Sequence, residues 1–191
     1  MVTIVLVLRT VAVLCFATPL LLRIHGRRDR PDPDRRQRAA GRAPVAANFA
    51  AFVAFLLTLG GFSGSITGAL ALPMATAGGL LAGGGAVLVL RSRAALGAAW
   101  SLVPVADPVT GLIVAGPYRL VRHPIYLGLA LLAMGNATAF GNGPAALVVL
   151  CAVVPTFVWR ARAEEAVLRG TFGGRYAEYQ ARTPMIIPRL P

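Results

Sequence analysis

The feature that most constrains this chain is a series of apolar runs, each close to the length that a helix needs to cross a membrane. A hydrocarbon core about 30 Å thick requires roughly 20 apolar residues in a helix. Five runs approach that length: residues 2–22, 45–62, 66–90, 124–140 and 145–159. Pro73 lies within the third run and predicts a bend or an offset there. The last two runs are short for full spans, so helix in the adjoining residues would have to extend them. We therefore predict an all-α polytopic membrane protein with about five transmembrane helices.

The composition agrees with a membrane protein and excludes several other classes. Hydrophobic residues make up 57% of the 191 residues, charged residues make up only 14%, and the net charge is +12. A soluble domain usually carries about 25% charged residues, and a disordered basic chain lacks this apolar content. A nucleic-acid-binding domain would carry its basic excess on a water-soluble fold. We therefore expect membrane lipids as surroundings and no nucleic-acid partner.

The distribution of arginine predicts the orientation in the membrane. Of the 19 basic residues, all of them Arg, eight lie in residues 23–44, four in residues 91–123 and six in residues 160–191. With five spans these three segments share one side of the membrane. The positive-inside rule then places the N-terminus outside and the C-terminus in the cytoplasm. The Ala-, Gly- and Arg-rich composition is typical of bacteria, so we expect a bacterial inner or plasma membrane.

Four polar side chains are predicted to meet at the cytoplasmic boundary. The turn sequence Gly-Asn-Gly-Pro at residues 141–144 folds the last two apolar runs into an antiparallel hairpin. One cytoplasmic end of the hairpin bears His123 and Tyr126. The other end bears Arg160 and Glu164, which lie four residues apart and share one helix face. An interfacial belt of Tyr and Arg and a solvated ion pair are the plainer interpretations. The convergence of all four side chains favours a pocket.

Two blocks of sequence around these residues carry a family resemblance. Residues 112–128 read Leu-Ile-Val-Ala-Gly-Pro-Tyr-Arg-Leu-Val-Arg-His-Pro-Ile-Tyr-Leu-Gly. Residues 160–179 contain Arg-x-x-x-Glu-Glu-x-x-Leu, followed by Phe-Gly-x-x-Tyr-x-x-Tyr. In their order and spacing the blocks resemble the isoprenylcysteine carboxyl methyltransferase family, with its bacterial members and the related phospholipid methyltransferases. The resemblance extends over about residues 91–188, which is half of the chain.

The resemblance implies a cofactor and a set of site residues. The methyl donor would be S-adenosylmethionine, with S-adenosylhomocysteine as product, in a cytosol-facing pocket formed by the hairpin and the polar tail. The residues implied to border the cofactor are Leu112, Ile113, Tyr118, His123, Pro124, Ile125, Tyr126 and Glu164. Arg160 would bind the substrate carboxylate, and Arg160 and Glu164 are the expected catalytic residues. Supporting roles are expected for Arg122, Glu165, Tyr176 and Tyr179, which also match the pattern. No metal is expected.

The residue types suit methyl transfer to an acid. Glu164 can complement the positive charge of the donor, while His123 and backbone N–H groups can bond its carboxylate. Tyr rings can pack on adenine or near a sulfonium. A carboxylate acceptor is ionised at neutral pH and needs no general base, and Arg160 can hold it through two contacts. We therefore expect carboxyl O-methylation of a lipid-like or isoprenylcysteine-type acid, which is a lipophilic small molecule.

Three alternative functions stay open on the sequence. One is phospholipid amine N-methylation. Another is an NADPH-dependent reductase of the membrane sterol type, which carries a similar His-Pro-x-Tyr-x-Gly stretch. Such reductases commonly place an acidic residue after that glycine, where this chain has Leu129. The last is a non-enzymatic scaffold assembled through glycine-rich helices.

The chain is expected to consist of two parts. Residues 1–90 would hold the N-terminal transmembrane helices with the basic cytoplasmic loop 23–44. Residues 91–191 would form the methyltransferase region, with a cytosolic loop, the transmembrane hairpin and the cytosolic tail. The glycine run at residues 78–85 has the spacing of small residues that allows close helix packing, within or between chains, so an oligomer is one expectation.

Overall fold

The chain folds into a series of helices throughout the part that the structure describes. The structure, a computed structural model, describes residues 35–61, 68–97 and 111–188, and within them all regular structure is helical. In chain order the helices are α1 (Arg35–Gly61), α2 (Ala71–Leu96), α3 (Pro124–Ala139), α4 (Gly143–Phe172) and α5 (Gly174–Arg182). Short 3-10 turns at Gly68–Leu70 and Gly116–Arg119 precede α2 and α3. The prediction of an all-α fold is confirmed for these residues.

Three of the helical segments are long and apolar enough to cross a membrane. They are Ala43–Gly61, Gly68–Leu96 and Gly143–Phe172. Helix α3 is apolar as well but has only 16 residues. Large apolar side chains are exposed along the longer helices, including Leu57, Leu80 and Leu147, as expected for surfaces that face lipid. The first predicted span, residues 2–22, lies outside the described residues, so the five-span topology stays a prediction.

Glycines bring α2 and α3 into direct backbone contact. A Cβ atom placed on Gly85 would lie 2.6 Å from the carbonyl oxygen of Gly128, and one placed on Gly135 would lie 2.5 Å from the amide nitrogen of Ala82. A Cβ atom on Gly78 would likewise overlap the backbone of α3. The early part of α2 therefore meets the late part of α3, so the two helices are antiparallel. The close packing predicted for the glycine run occurs within the chain.

Polar side chains fasten α1 to α4. The Nδ2 atom of Asn142 donates to the carbonyl oxygen of Thr58 at 3.1 Å, while its Oδ1 atom accepts from the amide of Ala145 at 2.9 Å and caps α4. Further along the same pair of helices, the Thr156 hydroxyl donates to Oδ1 of Asn48 at 2.9 Å. These two contacts fix the register of α1 against α4. Inside a membrane no water can replace either hydrogen bond, so a shift of one helix along the other would leave a donor and an acceptor unpaired.

Helix α4 is longer than the apolar run at residues 145–159 predicts. The chain turns next to the predicted position, at residues 140–142, and Gly143 and Pro144, which were predicted to belong to the turn, are the first residues of the helix. A π-helical turn at Val149–Val153 comes just before Pro155. Pro155 lacks an N–H group, and its ring would crowd the carbonyl four residues earlier in a regular helix, which accounts for a wider turn there. Gly173, with φ of 52°, ends α4 and lets the chain turn into α5.

The predicted basic loop at residues 23–44 is wrong over its second half. Helix α1 begins at Arg35, so residues 35–44 are helical. Ala and Arg are strong helix formers, and a charged residue at a membrane boundary ends the apolar span without ending the helix. Pro44 lies inside α1 and not at the end of a loop.

The second predicted cytosolic loop, residues 91–123, also starts later than expected. Helix α2 continues to Leu96 and ends at Gly97, which has φ of 51°. The predicted division of the chain between residues 90 and 91 therefore falls inside a helix. Pro73 lies in the first turn of α2, where proline is tolerated, and not in the middle of a span.

The largest apolar cluster lies between α1, α3 and α4. It includes Phe55 from α1, Tyr126 from α3 and Phe157 from α4, all buried. Met185 and Ile186, which follow α5, pack against the same cluster. The chain end after α5 is thereby held beside the start of α3.

Candidate functional site

The structure brings together the four polar side chains that the hairpin was predicted to bring together. His123 immediately precedes α3 and Tyr126 lies in its first turn, while Arg160 and Glu164 lie in the second half of α4. The Nδ1 atom of His123 is 3.6 Å from Oε2 of Glu164. His123 and Arg160 lie at the same end of the hairpin because the two helices run about equally far from the turn. Helix α3 has 16 residues, and Arg160 comes a similar distance along α4.

Glu164 lies at the centre of this group. Its Oε1 atom accepts hydrogen bonds from the Tyr126 hydroxyl and from Nε of Arg160, at 3.2 Å. The Glu164 side chain is 20% exposed, whereas that of His123 is 7% exposed. A carboxylate held by several donors and still partly open is placed to receive a cation.

Aromatic rings stack beneath the charged groups. The rings of His123 and Tyr126 stack with centroids 5.5 Å apart, and Tyr126 stacks in turn on Phe157 at 5.1 Å. The guanidinium carbon of Arg160 lies 5.5 Å from the centroid of the Tyr126 ring. The stack offers flat apolar faces and a cation–π contact beside the Glu164 carboxylate.

Glu165, the next residue along α4, lies at the centre of a second, buried cluster of polar side chains. The Glu165 side chain is only 2% exposed, and its Oε1 atom lies 2.7 Å from Nε of Arg122. The same Oε1 atom is 3.3 Å from Nε2 of His123, and Oε2 accepts from Nε2 of Gln180 at 2.8 Å. The two neighbouring glutamates therefore face opposite nitrogens of one imidazole ring.

Arg122 connects this cluster to the chain segment after α5. Its Nη1 atom donates to the carbonyl oxygens of Gln180, at 3.2 Å, and of Thr183. The backbone amide of Arg122 donates to the Pro184 carbonyl at 2.8 Å, and the amide of His123 donates to the Met185 carbonyl at 2.9 Å. The residues at 183–185 therefore run alongside the start of α3 and complete the buried side of the site.

The surroundings raise the pKa values of His123, Tyr118 and Tyr179. Burial alone would lower the pKa of His123, but its hydrogen bonds and charge interactions with Glu164 and Glu165 outweigh burial and raise that pKa. Burial raises the pKa of Tyr118 well above its usual range and raises that of Tyr179 to about 12. These two phenols therefore stay protonated near neutral pH and cannot act as bases.

The other residues implied by the resemblance are placed as follows. Pro124 is the first residue of α3 and is fully buried, and Ile125 beside it is half-buried. Tyr118 is buried in the 3-10 turn, where its carbonyl accepts from the Tyr179 hydroxyl at 2.6 Å. Leu112 and Ile113 are half-buried in the irregular segment that leads to this turn. Their contact with a cofactor stays a prediction.

Three residues of this site were not predicted from the sequence. Phe157 lies three residues before Arg160 and seven before Glu164, a helical spacing that could have placed it on the same face. Gln180 and Thr183 come from the segment after α4 and reach Arg122 and Glu165 only through the tertiary fold. In the described part of the chain, no group of three or more His, Cys, Asp and Glu could hold a metal ion.

Comparison with protein families gives a match over the region that contains this site. Residues 74–175 match the family model described as "Phospholipid methyltransferase". The match includes all of α3 and α4, with the side chains of His123, Tyr126, Arg160 and Glu164. It also includes most of α2, so the matching region begins earlier than residue 91, the predicted start of the methyltransferase region.

Curated proteins with related sequences include several methyltransferases. The protein-S-isoprenylcysteine O-methyltransferase of Schizosaccharomyces pombe is 35% identical over 80 residues, which are 42% of this chain and 34% of that protein. Protein-S-isoprenylcysteine O-methyltransferase B of Arabidopsis thaliana is 32% identical over 77 residues, 40% of this chain and 39% of that protein. Methanethiol S-methyltransferase 2 of Bradyrhizobium diazoefficiens is 37% identical over 73 residues, 38% of this chain and 27% of that protein. The chain thus spans between about a quarter and two-fifths of the length of these relatives.

Proposed function

We propose, since the chain belongs to the phospholipid methyltransferase family, that it is a membrane methyltransferase which uses S-adenosylmethionine and releases S-adenosylhomocysteine. The observation that carries the proposal is the convergence of His123, Tyr126, Arg160 and Glu164 at one end of the α3–α4 hairpin. The residues implied as catalytic are Arg160 and Glu164. This convergence joins the two sequence blocks that the resemblance rests on.

The chemistry of the site fits the proposed donor. S-adenosylmethionine, when bound, supplies an electrophilic methyl group on a sulfonium. The Glu164 carboxylate, partly open and flanked by hydrogen-bond donors, can balance a cationic group. The stacked rings of Tyr126 and Phe157 offer faces for an adenine or a sulfonium. Leu112, Ile113, Tyr118, Pro124 and Ile125 would border the same ligand.

For the acceptor we propose the carboxylate of a lipophilic acid. Arg160 is the residue to hold it, because a planar guanidinium matches a carboxylate through two parallel N–H contacts. Glu164 is engaged by Tyr126, Arg160 and His123, so it is a weak proton acceptor. An acceptor that is already ionised suits such a site, because transfer then depends on alignment and not on a general base.

Phospholipid amine N-methylation is the second candidate, since the matching family carries phospholipid methyltransferase as its description. An amine acceptor must lose a proton on or before methylation, whereas a carboxylate need not. It would also place a positive charge beside Arg160. The carboxylate is therefore the preferred acceptor. The two candidates can be told apart by their products, a methyl ester for the carboxylate and an N-methyl group for the amine.

The membrane arrangement completes the proposal. The N-terminus would lie outside, and the site would face the cytoplasm of a bacterial inner or plasma membrane, where the donor is made. The methyltransferase region would be residues 91–191, together with the part of α2 that packs on α3. An oligomer through the glycine-rich helices would use Gly83 and Gly84, because an added Cβ on either meets no atom of the chain within 4 Å.

The proposed donor is tested by calorimetry with S-adenosylhomocysteine on the protein purified in detergent. We expect binding by the unaltered chain and a loss of at least tenfold in affinity for Glu164→Gln. Glu178→Gln is the matched control, because Glu178 is exposed on α5. Absence of binding to the unaltered chain would overturn the proposal. A thermal shift with NADPH in its place would favour the reductase alternative.

The acceptor is tested with a radioactive methyl donor and lipid extracts. A methyl ester releases its label as methanol in mild alkali, whereas an N-methyl or S-methyl product keeps it. We expect alkali-labile label that Arg160→Lys reduces strongly and that Arg162→Lys, two residues away and exposed, leaves unchanged. Label that stays on a phospholipid headgroup after alkali would establish the second candidate instead.

A further inference from the structure

The imidazole ring of His123 lies between two carboxylates that follow each other along α4. Its Nδ1 atom is 3.6 Å from Oε2 of Glu164, and its Nε2 atom is 3.3 Å from Oε1 of Glu165. A neutral imidazole carries only one N–H group, so it would turn a nitrogen lone pair toward one of the two carboxylates. An imidazolium has an N–H on each nitrogen and matches both neighbours.

We propose that Glu165 is a positioning residue, which holds the His123 ring as an imidazolium and through it holds Glu164 in place for the methyl donor. Only the identity of the ligand that Glu164 meets rests on the proposed function. The raised pKa of His123 agrees with this arrangement, since both glutamates favour the protonated ring.

The partners of Glu165 suit it to hold the ring without moving. Nε of Arg122 lies 2.7 Å from one carboxylate oxygen, and Nε2 of Gln180 lies 2.8 Å from the other. The carboxylate is buried, so each of these hydrogen bonds is shielded from competing water. The orientation of Glu165 therefore sets the direction in which Nε2 of His123 points, and the other ring nitrogen then faces Glu164.

The charges around His123 come from two parts of the fold. Helix α4 supplies Glu164 and Glu165, and also Arg160, which bonds to Glu164. The segment of His123 itself supplies Arg122, which bonds to Glu165. The remaining neighbours are neutral: Tyr126 of α3 stacks on the ring, Gln180 of α5 bonds to Glu165, and the Met185 carbonyl accepts from the His123 backbone amide. Loss of a ring proton would leave two carboxylates facing one N–H group. Because the contact with Glu165 is the shorter one, at 3.3 Å against 3.6 Å, we expect the N–H to stay on that side and Glu164 to face a lone pair.

The inference is tested first without any ligand, by NMR titration of the His123 ring in detergent. The chain has two histidines, so a His25→Gln background leaves a single signal. We expect Glu165→Gln to lower the titration midpoint by about one pH unit or more, because an opposite charge in contact favours the charged form by that amount. Glu178→Gln removes an equal charge outside the cluster and should leave the midpoint unchanged.

The second measurement follows the affinity for S-adenosylhomocysteine across pH. For the unaltered chain we expect the affinity to fall about tenfold as pH rises through the His123 midpoint. For Glu165→Gln the fall should begin at lower pH by the shift that NMR measures, with kcat at saturating donor changed less than KM. Glu165→Asp keeps the charge on a shorter side chain, so it should keep a raised midpoint.

The outcomes separate this inference from the proposed function. An unchanged midpoint in Glu165→Gln overturns the inference even if the chain methylates its substrate. A shifted midpoint in a chain that binds no S-adenosylhomocysteine overturns the proposed function and leaves the ring arrangement established. If Glu165→Gln does not fold by circular dichroism, the decision passes to Glu165→Asp, whose midpoint at the ordinary value of His would contradict the inference.

Discussion

At the scale of single residues, the site depends on charged side chains that are buried together. The ion pair of Arg122 and Glu165 is the clearest case, because their side chains are 10% and 2% exposed. Taking either charge away leaves the other in a low-dielectric interior without its partner. Exposed pairs behave differently, since water and ions screen them.

Arg122→Met is therefore expected to destabilise the fold by about 3–5 kcal/mol, the usual cost of breaking a buried pair. Arg182→Met is the matched control, because Arg182 pairs with Glu178 at 2.8 Å on the exposed surface of α5. Thermal unfolding in detergent measures both changes. Similar losses in the two variants would show that the Arg122 pair is not the anchor that its burial indicates.

The stability of the fold is expected to depend on the protonation of His123. Its pKa is raised in the folded chain, so the protonated ring contributes stability that is fully present below the ordinary His pKa of about 6.5. That contribution is lost as pH rises through the raised pKa of the folded state. Unfolding measured from pH 6 to pH 9 should show this decline, and His123→Asn should flatten it. A decline of equal size in the variant would assign it to other groups.

A site residue could be predicted from the sequence where local structure alone decides its position, and not where its position depends on the tertiary fold. His123, Tyr126, Arg160 and Glu164 could be predicted to meet, because one tight turn and two regular helices decide where they lie. The positions of Gln180 and Thr183 depend on how the chain returns after Gly173, which no periodic pattern records. The different directions of the two adjacent glutamates follow from the helix, which turns by about 100° per residue, but which of the two is buried required the packing of α5.

At the scale of helices, the contact of α2 with α3 depends on the absence of side chains. Gly78, Gly85, Gly128 and Gly135 lie where the two backbones touch, while Gly83 and Gly84 lie on another face of α2. Each glycine in a helix costs about 1 kcal/mol relative to alanine through backbone entropy. At the contact this cost is offset by close packing, and on the open face it is not.

Two alanine substitutions in α2 should therefore change the stability of the fold differently. Gly85→Ala is expected to destabilise by about 1–3 kcal/mol, because its Cβ would overlap the backbone of α3. Gly84→Ala, one residue earlier, should be neutral or stabilise by up to about 1 kcal/mol. Thermal unfolding of both variants in the same detergent is the measurement. A stabilising Gly85→Ala would contradict the close approach of α2 and α3.

The helices themselves could largely be predicted from the apolar runs, and their ends could not. The run at residues 124–140 agrees with α3 to within a residue, because Pro124 marks the start of the helix and the glycine-containing turn marks its end. Helices α1 and α4 extend past their apolar runs at Arg35 and Phe172. Hydropathy records where lipid ends, whereas a helix ends where its backbone hydrogen bonds end.

At the scale of the whole molecule, the hairpin of α3 and α4 should separate its turn from its site by the thickness of the membrane. The turn before α4 would then lie outside, and α5 would lie in the cytoplasm. Gly143 and Glu178 are exposed positions at these two ends. The chain contains two cysteines, Cys15 and Cys151, which can be replaced to give a background free of thiols.

In that background, a membrane-impermeant maleimide added to intact cells is expected to label Gly143→Cys. Glu178→Cys should react only after the membrane is opened. The reverse pattern would invert the proposed orientation. Labelling of both positions from the same side would mean that the hairpin does not cross the membrane.

The main-chain pairing of residues 183–185 with the start of α3 should restrict changes in chain length more than changes in side chains. Arg122 and His123 reach Pro184 and Met185 through main-chain hydrogen bonds, which do not depend on the side chains of the two acceptors. Substitutions at Pro184 and Met185 should therefore be accepted more readily than a single insertion or deletion, which would shift every carbonyl along by one position. Among natural variants of this protein, the length between Gly173 and Met185 should be more constant than the residues that fill it.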